Sequence, residues 1–491
     1  MSQHSATVSP LEMFKAALGQ PRLIEALRAG LIGEGMAFDT PFGSKRLVYA
    51  DYTASGRALR QVEDFVSAQV LPYYANTHTE ASFCGEAMSR LREQARAEIA
   101  RIAGVGSDGH VIFTGSGATD ALNRIVVGLG LRERVARQER IVVLTGPYEH
   151  HSNILPWRES GAEVIEIEEA PGGGPDMVAL DAALSQARGA ACVIGAFSAA
   201  SNVTGIVTDT AAVTRRLRSA GALAIWDYAA AAAYLPIDMG AGETAKDAIV
   251  FSPHKFPGGP GATGILLLRD GIGWRPCPTT PGGGTVRFVS PWGHAYSDSI
   301  EAREEAGTPN IIGNIRAALV LLVKEAIGCD RIAARDQALR ERALAAWQAL
   351  PEIELLGQRP GSLALPVFSF RVRHPDGGHL HHQLFTRMLS DVHGIQARGG
   401  CACAGPYAHR LLGLDRTASD VIRERLHAGC ELAKPGWIRL NLSYLLSDAQ
   451  ADQIISAVAD LAKRAPGLAK NYVGDPVTAR FAYSEHAEEA V

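Results

Sequence analysis

An α/β architecture, a mostly parallel sheet flanked by helices plus a smaller α+β unit, is what this chain predicts, and three observations predict it. Apolar runs of strand length recur between Val111 and Leu268, amphipathic segments of helical length separate several of them, and beyond Val367 the pattern changes to a mixture of strands and helices.

The runs are Val111–Phe113, Ile141–Leu144, Val164–Ile165, Cys192–Ile194, Ala222–Trp226, Ile249–Phe251 and Ile265–Leu268, with helical segments at Ala118–Leu129, Val178–Ala187 and Thr210–Ala220. Alternation of this kind makes parallel strands, and ligands then bind at the strands' carboxyl ends. Pro10–Ala29 and Ala87–Ile102 read as helices ahead of the block, and Ile311–Ile327 and Arg331–Leu350 read as helices after it. The mixed unit follows as Val367–Val372, His379–Leu389, Gly394–Arg398, Ser419–Leu432, Trp437–Leu442 and Asp448–Lys463. The expected organisation is an N-terminal segment, 1–47, packing with the small domain; a large domain, 48–314; the small domain, 315–465; and a tail, 466–491. The tail has weak periodicity and is expected to be partly disordered or draped over the surface.

With 491 residues, 47% hydrophobic and 20% charged, the chain can bury a large core. A net charge of -4 leaves no basic footprint for nucleic acid. Met1–Pro10 has neither the basic start nor the apolar centre of a signal peptide, and no apolar stretch is long enough to cross a bilayer. Seven scattered cysteines, an odd number, fit reduced thiols in the cytoplasm. No metal is expected: CxxC and HExxH are absent, and His379, His381 and His382 read as solvated residues at a helix start.

The chemistry begins at Ser252-Pro253-His254-Lys255-Phe256-Pro257-Gly258-Gly259, a lysine between an apolar run and a glycine-rich turn, and at Asp227, which ends another apolar run. A primary amine can hold an aldehyde as an imine, and a buried carboxylate can keep a ring nitrogen protonated, so together they point to pyridoxal 5'-phosphate. Thr114-Gly115-Ser116-Gly117-Ala118-Thr119-Asp120 follows the first strand and opens a helix. It suits a phosphate seat, or simply a tight capped turn; Ser252 and His254, further phosphate-type donors beside Lys255, favour the seat. His150, in Glu149-His150-His151-Ser152-Asn153, can stack on a flat ring and move a proton, or cap a helix.

These residues resemble the class V aminotransferase family of fold type I pyridoxal phosphate enzymes, and within it the cysteine desulfurases of the selenocysteine lyase type. The resemblance runs from about Asp51 to Leu446. It implies a phosphate seat at Ser116, Gly117, Ala118 and Thr119, ring stacking by His150, and contact of Asn202 with the coenzyme or the substrate. It further implies a ring-nitrogen partner in Asp227 and the coenzyme-bearing signature in Ser252, His254 and Lys255. Glu305-Ala306-Gly307-Thr308-Pro309-Asn310 is similar to the loop whose threonine, here Thr308, reaches the phosphate of the partner subunit, implying a homodimer. Arg439 is similar to the arginine that clamps the substrate carboxylate with a planar fork; by its position alone it could also be a surface charge at a strand end.

Gly394 to Pro406 resembles the loop that presents a desulfurase's nucleophilic thiol, and counted from Arg398 that thiol is Cys403. In an extended segment Cys401 would face the same way. The pair could equally be buried filler. The family glutamine three residues after the aspartate is Ala230 here, so one donor to the coenzyme's phenolic oxygen is missing. The implied reaction is desulfuration of L-cysteine to alanine and an enzyme persulfide, passed on to a sulfur-acceptor protein. Two other readings stand beside it: a class V aminotransferase, epimerase or carbon-sulfur or selenocysteine lyase that uses no protein thiol, and a degenerate coenzyme-binding sulfur carrier or scaffold.

Overall fold

The computed structural model describes residues 9–77, 79–359 and 361–484. Met1–Val8 and the last part of the tail, 485–491, lie outside the described residues. Contacts divide the chain into two units. One holds the described residues up to Ile32 with Ser55–Ala199 and Thr208–Arg331; the other holds Gly33–Ala54, Ala200–Val207 and the described residues from Ile332 onward.

The first unit is built on a seven-stranded sheet: β1 (Gly109–Thr114), β2 (Ile141–Thr145), β3 (Glu163–Glu166), β4 (Cys192–Ser198), β5 (Leu223–Asp227), β6 (Ala248–Phe251) and β7 (Gly264–Arg269). These are the seven apolar runs of the sequence, six of them extended by a residue or more and Ala222–Trp226 shifted by one to Leu223–Asp227. Their order is β1-β7-β6-β5-β4-β2-β3. β7 runs antiparallel to both its neighbours and the remaining pairs are parallel, so β1, β2, β4, β5 and β6 end at one edge. All five residues of β2 are buried, as an apolar run covered on both faces requires. Helices Gly117–Gly128 and Leu155–Glu159 cover the sheet with Leu122, Ile125 and Trp157 against Ile112, Ile141, Val143 and Ile225.

Ile311–Ile327 forms a helix with the expected bounds, capped by Asn310, whose Oδ1 accepts from the Gly313 N–H at 2.9 Å. The single helix expected at Pro10–Ala29 is instead two, Pro10–Leu18 and Leu23–Ala29. Gly19 closes the first, and Pro21, which has no N–H to donate, prevents its continuation.

The second unit carries an antiparallel sheet of β8 (Ile353–Leu355), β9 (Val367–Val372), β10 (Arg398–Gly400) and β11 (Trp437–Asn441), in the order β8-β9-β11-β10. Leu339, Ala343 and Trp347, Phe385 and Met388, and Ile454, Val458 and Leu461 pack with Phe368, Phe370, Ile438 and Leu440 in its core. The Val48–Tyr49 strand pairs in parallel with Ile395–Gln396, the Ala50 N–H donates to Gln396 O at 2.9 Å, and Asn441 N–H donates to Ala50 O at 2.9 Å. This stitching delivers Asp51 beside β10 and β11.

Two expectations for this unit need correction. Helix Asp448–Ala469, opened by a Ser447/Gln450 capping box, runs through Pro466, and Tyr472–Gly474 pairs with Phe481–Tyr483 as a hairpin. The tail through Tyr483 is therefore secondary structure, pinned by the buried Tyr472, whose hydroxyl donates to Asp391 at 3.1 Å. Nor are the helix-start histidines all solvated. His381 caps helix His382–His393, and His382 is 7% exposed, stacked on His381 and closed in beside Gly436. Burial pushes the His382 imidazole down to about 3, so it is neutral at physiological pH. Among the described residues no cluster of three or more His, Cys, Asp or Glu could hold a metal ion, and no helix is long and apolar enough to cross a membrane.

Candidate active site

In the first unit the predicted residues gather at the edge where β1, β2, β4, β5 and β6 end. The chain leaves β1 and enters helix Gly117–Gly128 at Gly117, whose φ of 63° favours glycine. A Cβ there would lie 2.5 Å from Ser252 Oγ, so no other residue fits without displacing it. Ser252 Oγ accepts from the Ala118 N–H at 2.9 Å, and the exposed Thr119 hydroxyl lies 2.7 Å from Ser152 Oγ. The turn is braced by Asp120, which accepts from Gly115 N–H at 2.8 Å and pairs with Arg124 at 2.7 Å. A glycine turn, a helix start and three hydroxyls bring together donors of the kind that hold a phosphate.

Asp227 ends β5, is 4% exposed, and accepts from the Ala229 N–H at 2.7 Å. Burial raises its carboxyl above the usual range, while the nearby charge of Lys255 pulls the other way. A protonated ring nitrogen would add a further counter-charge for this buried carboxylate. Lys255 closes the short Pro253–Lys255 turn after β6, half-buried. Burial, then the Lys255 charge, pushes His254 down to about 4, so it is neutral. Ala230, half-buried just after Asp227, offers no side-chain donor.

His150 uses its Nδ1 to accept the Ser152 N–H at 3.1 Å, capping the His151–Asn153 turn. The capping role is thus real, and it fixes the tautomer: with Nδ1 accepting, a neutral ring carries its proton on Nε2.

Sequence reasoning passed over Glu149, its neighbour. This carboxyl is 3% exposed and accepts from Ser198 N–H at 2.8 Å, Ser198 Oγ at 2.6 Å and Asn153 Nδ2. Ser198 stands opposite Asp227 in the sheet register, so Glu149 ties the His150 segment to the strand beside Asp227. Burial pushes Glu149 up to about 8, outweighing its three donors. The native state then holds a proton that the unfolded chain releases above its ordinary carboxyl value of 4.5. Its contribution is full below that value and is lost as pH rises through about 8. Glu149→Gln is expected to flatten the fall in stability over that window, read from denaturant midpoints at a series of pH values; an unchanged slope would contradict it.

Thr308 is exposed, on a first-unit loop whose base is held by Glu305: this carboxylate pairs with Arg92 and Arg96 and accepts the Phe113 N–H at 2.8 Å.

The remaining predicted residues belong to the second unit. Arg439, in β11, is 3% exposed, which rules out a surface charge. Its Nη2 donates to Asp51 at 2.8 Å and its Nη1 to the Asn202 carbonyl at 3.2 Å. Burial pulls the guanidinium below the usual arginine value, and Asp51 opposes that pull. Two buried atoms here, Arg439 Nε and Asn202 Oδ1, have no partner, as fits a site built to receive a further polar group. Asp51 also accepts from Arg398 Nε at 3.0 Å.

Asn202 directs its Nδ2 to Ala402 O at 2.8 Å and so grips the cysteine loop. That loop is not the extended segment expected: Ala402 and Cys403 have φ of 53° and 55°, forming a turn in which the alternation argument for Cys401 fails. Cys403 is exposed and Cys401 half-buried, both free thiols.

The chain belongs to the aminotransferase class-V family, whose model matches residues 48–423, and is a pyridoxal-phosphate-dependent enzyme of fold type I. Among its relatives are proteins described as probable cysteine desulfurases. One, from Pyrococcus abyssi, is 30% identical over 77% of this chain and 90% of its own length; another, from Streptomyces coelicolor, is 29% identical over 74% of this chain and 85% of its own. The solved apo structure of cysteine desulfurase from Thermococcus onnurineus is 26% identical, with a TM-score of 0.70 over 85% of this chain and 95% of that one.

Proposed function

We propose that this protein is a cysteine desulfurase that converts L-cysteine to alanine and leaves the sulfur as a persulfide on Cys403. The observation that carries the reading is an exposed thiol on a glycine-flanked turn, gripped by Asn202, in the same unit as the buried Arg439. Relatives named cysteine desulfurases support it.

Lys255 would hold the coenzyme, Asp227 would keep its ring nitrogen protonated, and the helix start at Gly117, Ala118 and Thr119 would hold its phosphate with Ser252 and neutral His254. When bound, pyridoxal phosphate supplies the electron sink for the charge left at the substrate Cα. Arg439 pairs with the substrate carboxylate, assisted by Asn202, which also serves coenzyme contact, and Lys255 Nζ takes the α-proton. His150 would stack on the coenzyme ring and relay the thiol proton through Nε2. Cys403 as thiolate attacks the substrate sulfur: an S–S bond forms as the C–S bond breaks, the bonding pair leaves with Cβ, and a proton returned there completes the methyl group of alanine. Thr308 serves the phosphate of the second subunit in a homodimer, the setting is the cytoplasm, and an acceptor protein removes the persulfide sulfur.

Ala230, which lacks the family donor, favours one rival: a class V aminotransferase or carbon-sulfur lyase needing no thiol. Product identity separates the two. L-cysteine, L-selenocysteine and other amino acids are incubated with the coenzyme-loaded enzyme and a thiol reductant. The expected products from L-cysteine are sulfide and alanine in equal amounts; a keto acid instead of alanine contradicts desulfuration.

A further inference from the structure

We infer that Asp51 is a positioning residue for sulfur transfer, tying the strand that leads into the Cys401–Cys403 loop to the buried guanidinium of Arg439. The inference rests on the roles of Arg439 and Cys403 proposed above. In the antiparallel register of β10 and β11, Arg398 stands directly opposite Arg439. Like charges so placed destabilise a strand pair. Asp51 resolves the conflict: Oδ1 accepts from Arg439 Nη2 at 2.8 Å and Oδ2 from Arg398 Nε at 3.0 Å. Two cations and one anion leave a single positive charge, which one substrate carboxylate would neutralise.

A second tether completes the arrangement. Arg439 Nη1 holds the Asn202 carbonyl, and the Asn202 amide holds Ala402 O. Residues 398 and 402, either side of Cys401 and just ahead of Cys403, therefore bear on one guanidinium, through Asp51 and through Asn202. This explains how Ala402 and Cys403 keep consecutive left-handed backbones, a conformation that persists only where the surroundings hold it. Without the Asp51 charge, Arg398 is released and the loop loosens, so a reagent reaches Cys403 more readily.

The test is the rate of iodoacetamide labelling at each cysteine, mapped by mass spectrometry in the coenzyme-free protein, for the native chain, Asp51→Asn and Arg398→Gln. The expected result is labelling of Cys403 at least about fivefold faster in both variants, with Cys192 and Cys430 unchanged. In the coenzyme-loaded variants kcat for alanine formation falls by about tenfold or more while the coenzyme absorption is retained. Arg398 is half-exposed, so Arg398→Gln decides the matter even if Asp51→Asn fails to fold. Labelling of Cys403 within about twofold of the native rate, or a rise shared by all cysteines, overturns the inference. Because labelling reads the tether and not the reaction, a failure here is distinct from a failure of the desulfurase reading, which alanine and sulfide production decide.

Discussion

Cys403→Ser is expected to abolish sulfide release from L-cysteine, by on the order of a thousandfold or more, while the coenzyme's visible absorption is preserved. A serine hydroxyl is almost fully protonated at neutral pH and is a poor nucleophile toward sulfur, so it cannot take over the displacement. Cys403 is exposed and is given no part in holding the coenzyme, so the spectrum should not move. Cys401→Ser is the matched control: half-buried in the turn, it should retain most activity. Sulfide and alanine assays on the two variants check both statements, and full desulfuration by Cys403→Ser would defeat the nucleophile assignment.

The second large effect is expected at Arg439. Arg439→Ala removes the cation from a buried pair and leaves Asp51 with Arg398 alone, a loss of about 3 kcal/mol in stability. It also removes the proposed partner of the substrate carboxylate, a loss of roughly 2–5 kcal/mol in binding, or about 30-fold to several thousandfold in kcat/KM for L-cysteine. Arg439→Lys should recover only part, because a point charge cannot replace a planar fork at a two-point contact. Cysteamine, which lacks the carboxylate, isolates the binding term: preference for L-cysteine over cysteamine should collapse in Arg439→Ala. A preserved preference would move the carboxylate site elsewhere.

What could be read from the sequence was what local chemistry and periodicity determine. The central strands of the large sheet announce themselves as apolar runs because burial on both faces forbids polar interruption, and the edge strand Glu163–Glu166 shows only as the pair Val164–Ile165. The lysine turn, the aspartate at the end of β5 and the helix start at Gly117 are each contiguous motifs at strand ends. Hidden from it were residues whose partners lie far along the chain. Asp51 meets Arg439 across 388 positions, and Glu149 meets Ser198 across 49. Neither carboxylate stands out until folding removes it from water and aligns its donors. The left-handed turn at Ala402 and Cys403 escaped notice for a related reason, since neither is glycine and the conformation is held by the distant Asn202. The tail reads as weakly periodic because its hairpin strands span three residues each, too short for an alternating pattern to show.

The most direct measurement addresses the bond on which the chemistry depends. Coenzyme-free protein is mixed with pyridoxal phosphate, reduced with borohydride, digested and mapped by mass spectrometry. A yellow protein whose reduced pyridoxyl label falls on the peptide containing Lys255 is the predicted result. A protein that stays colourless, or a label found on some other lysine, would contradict the account.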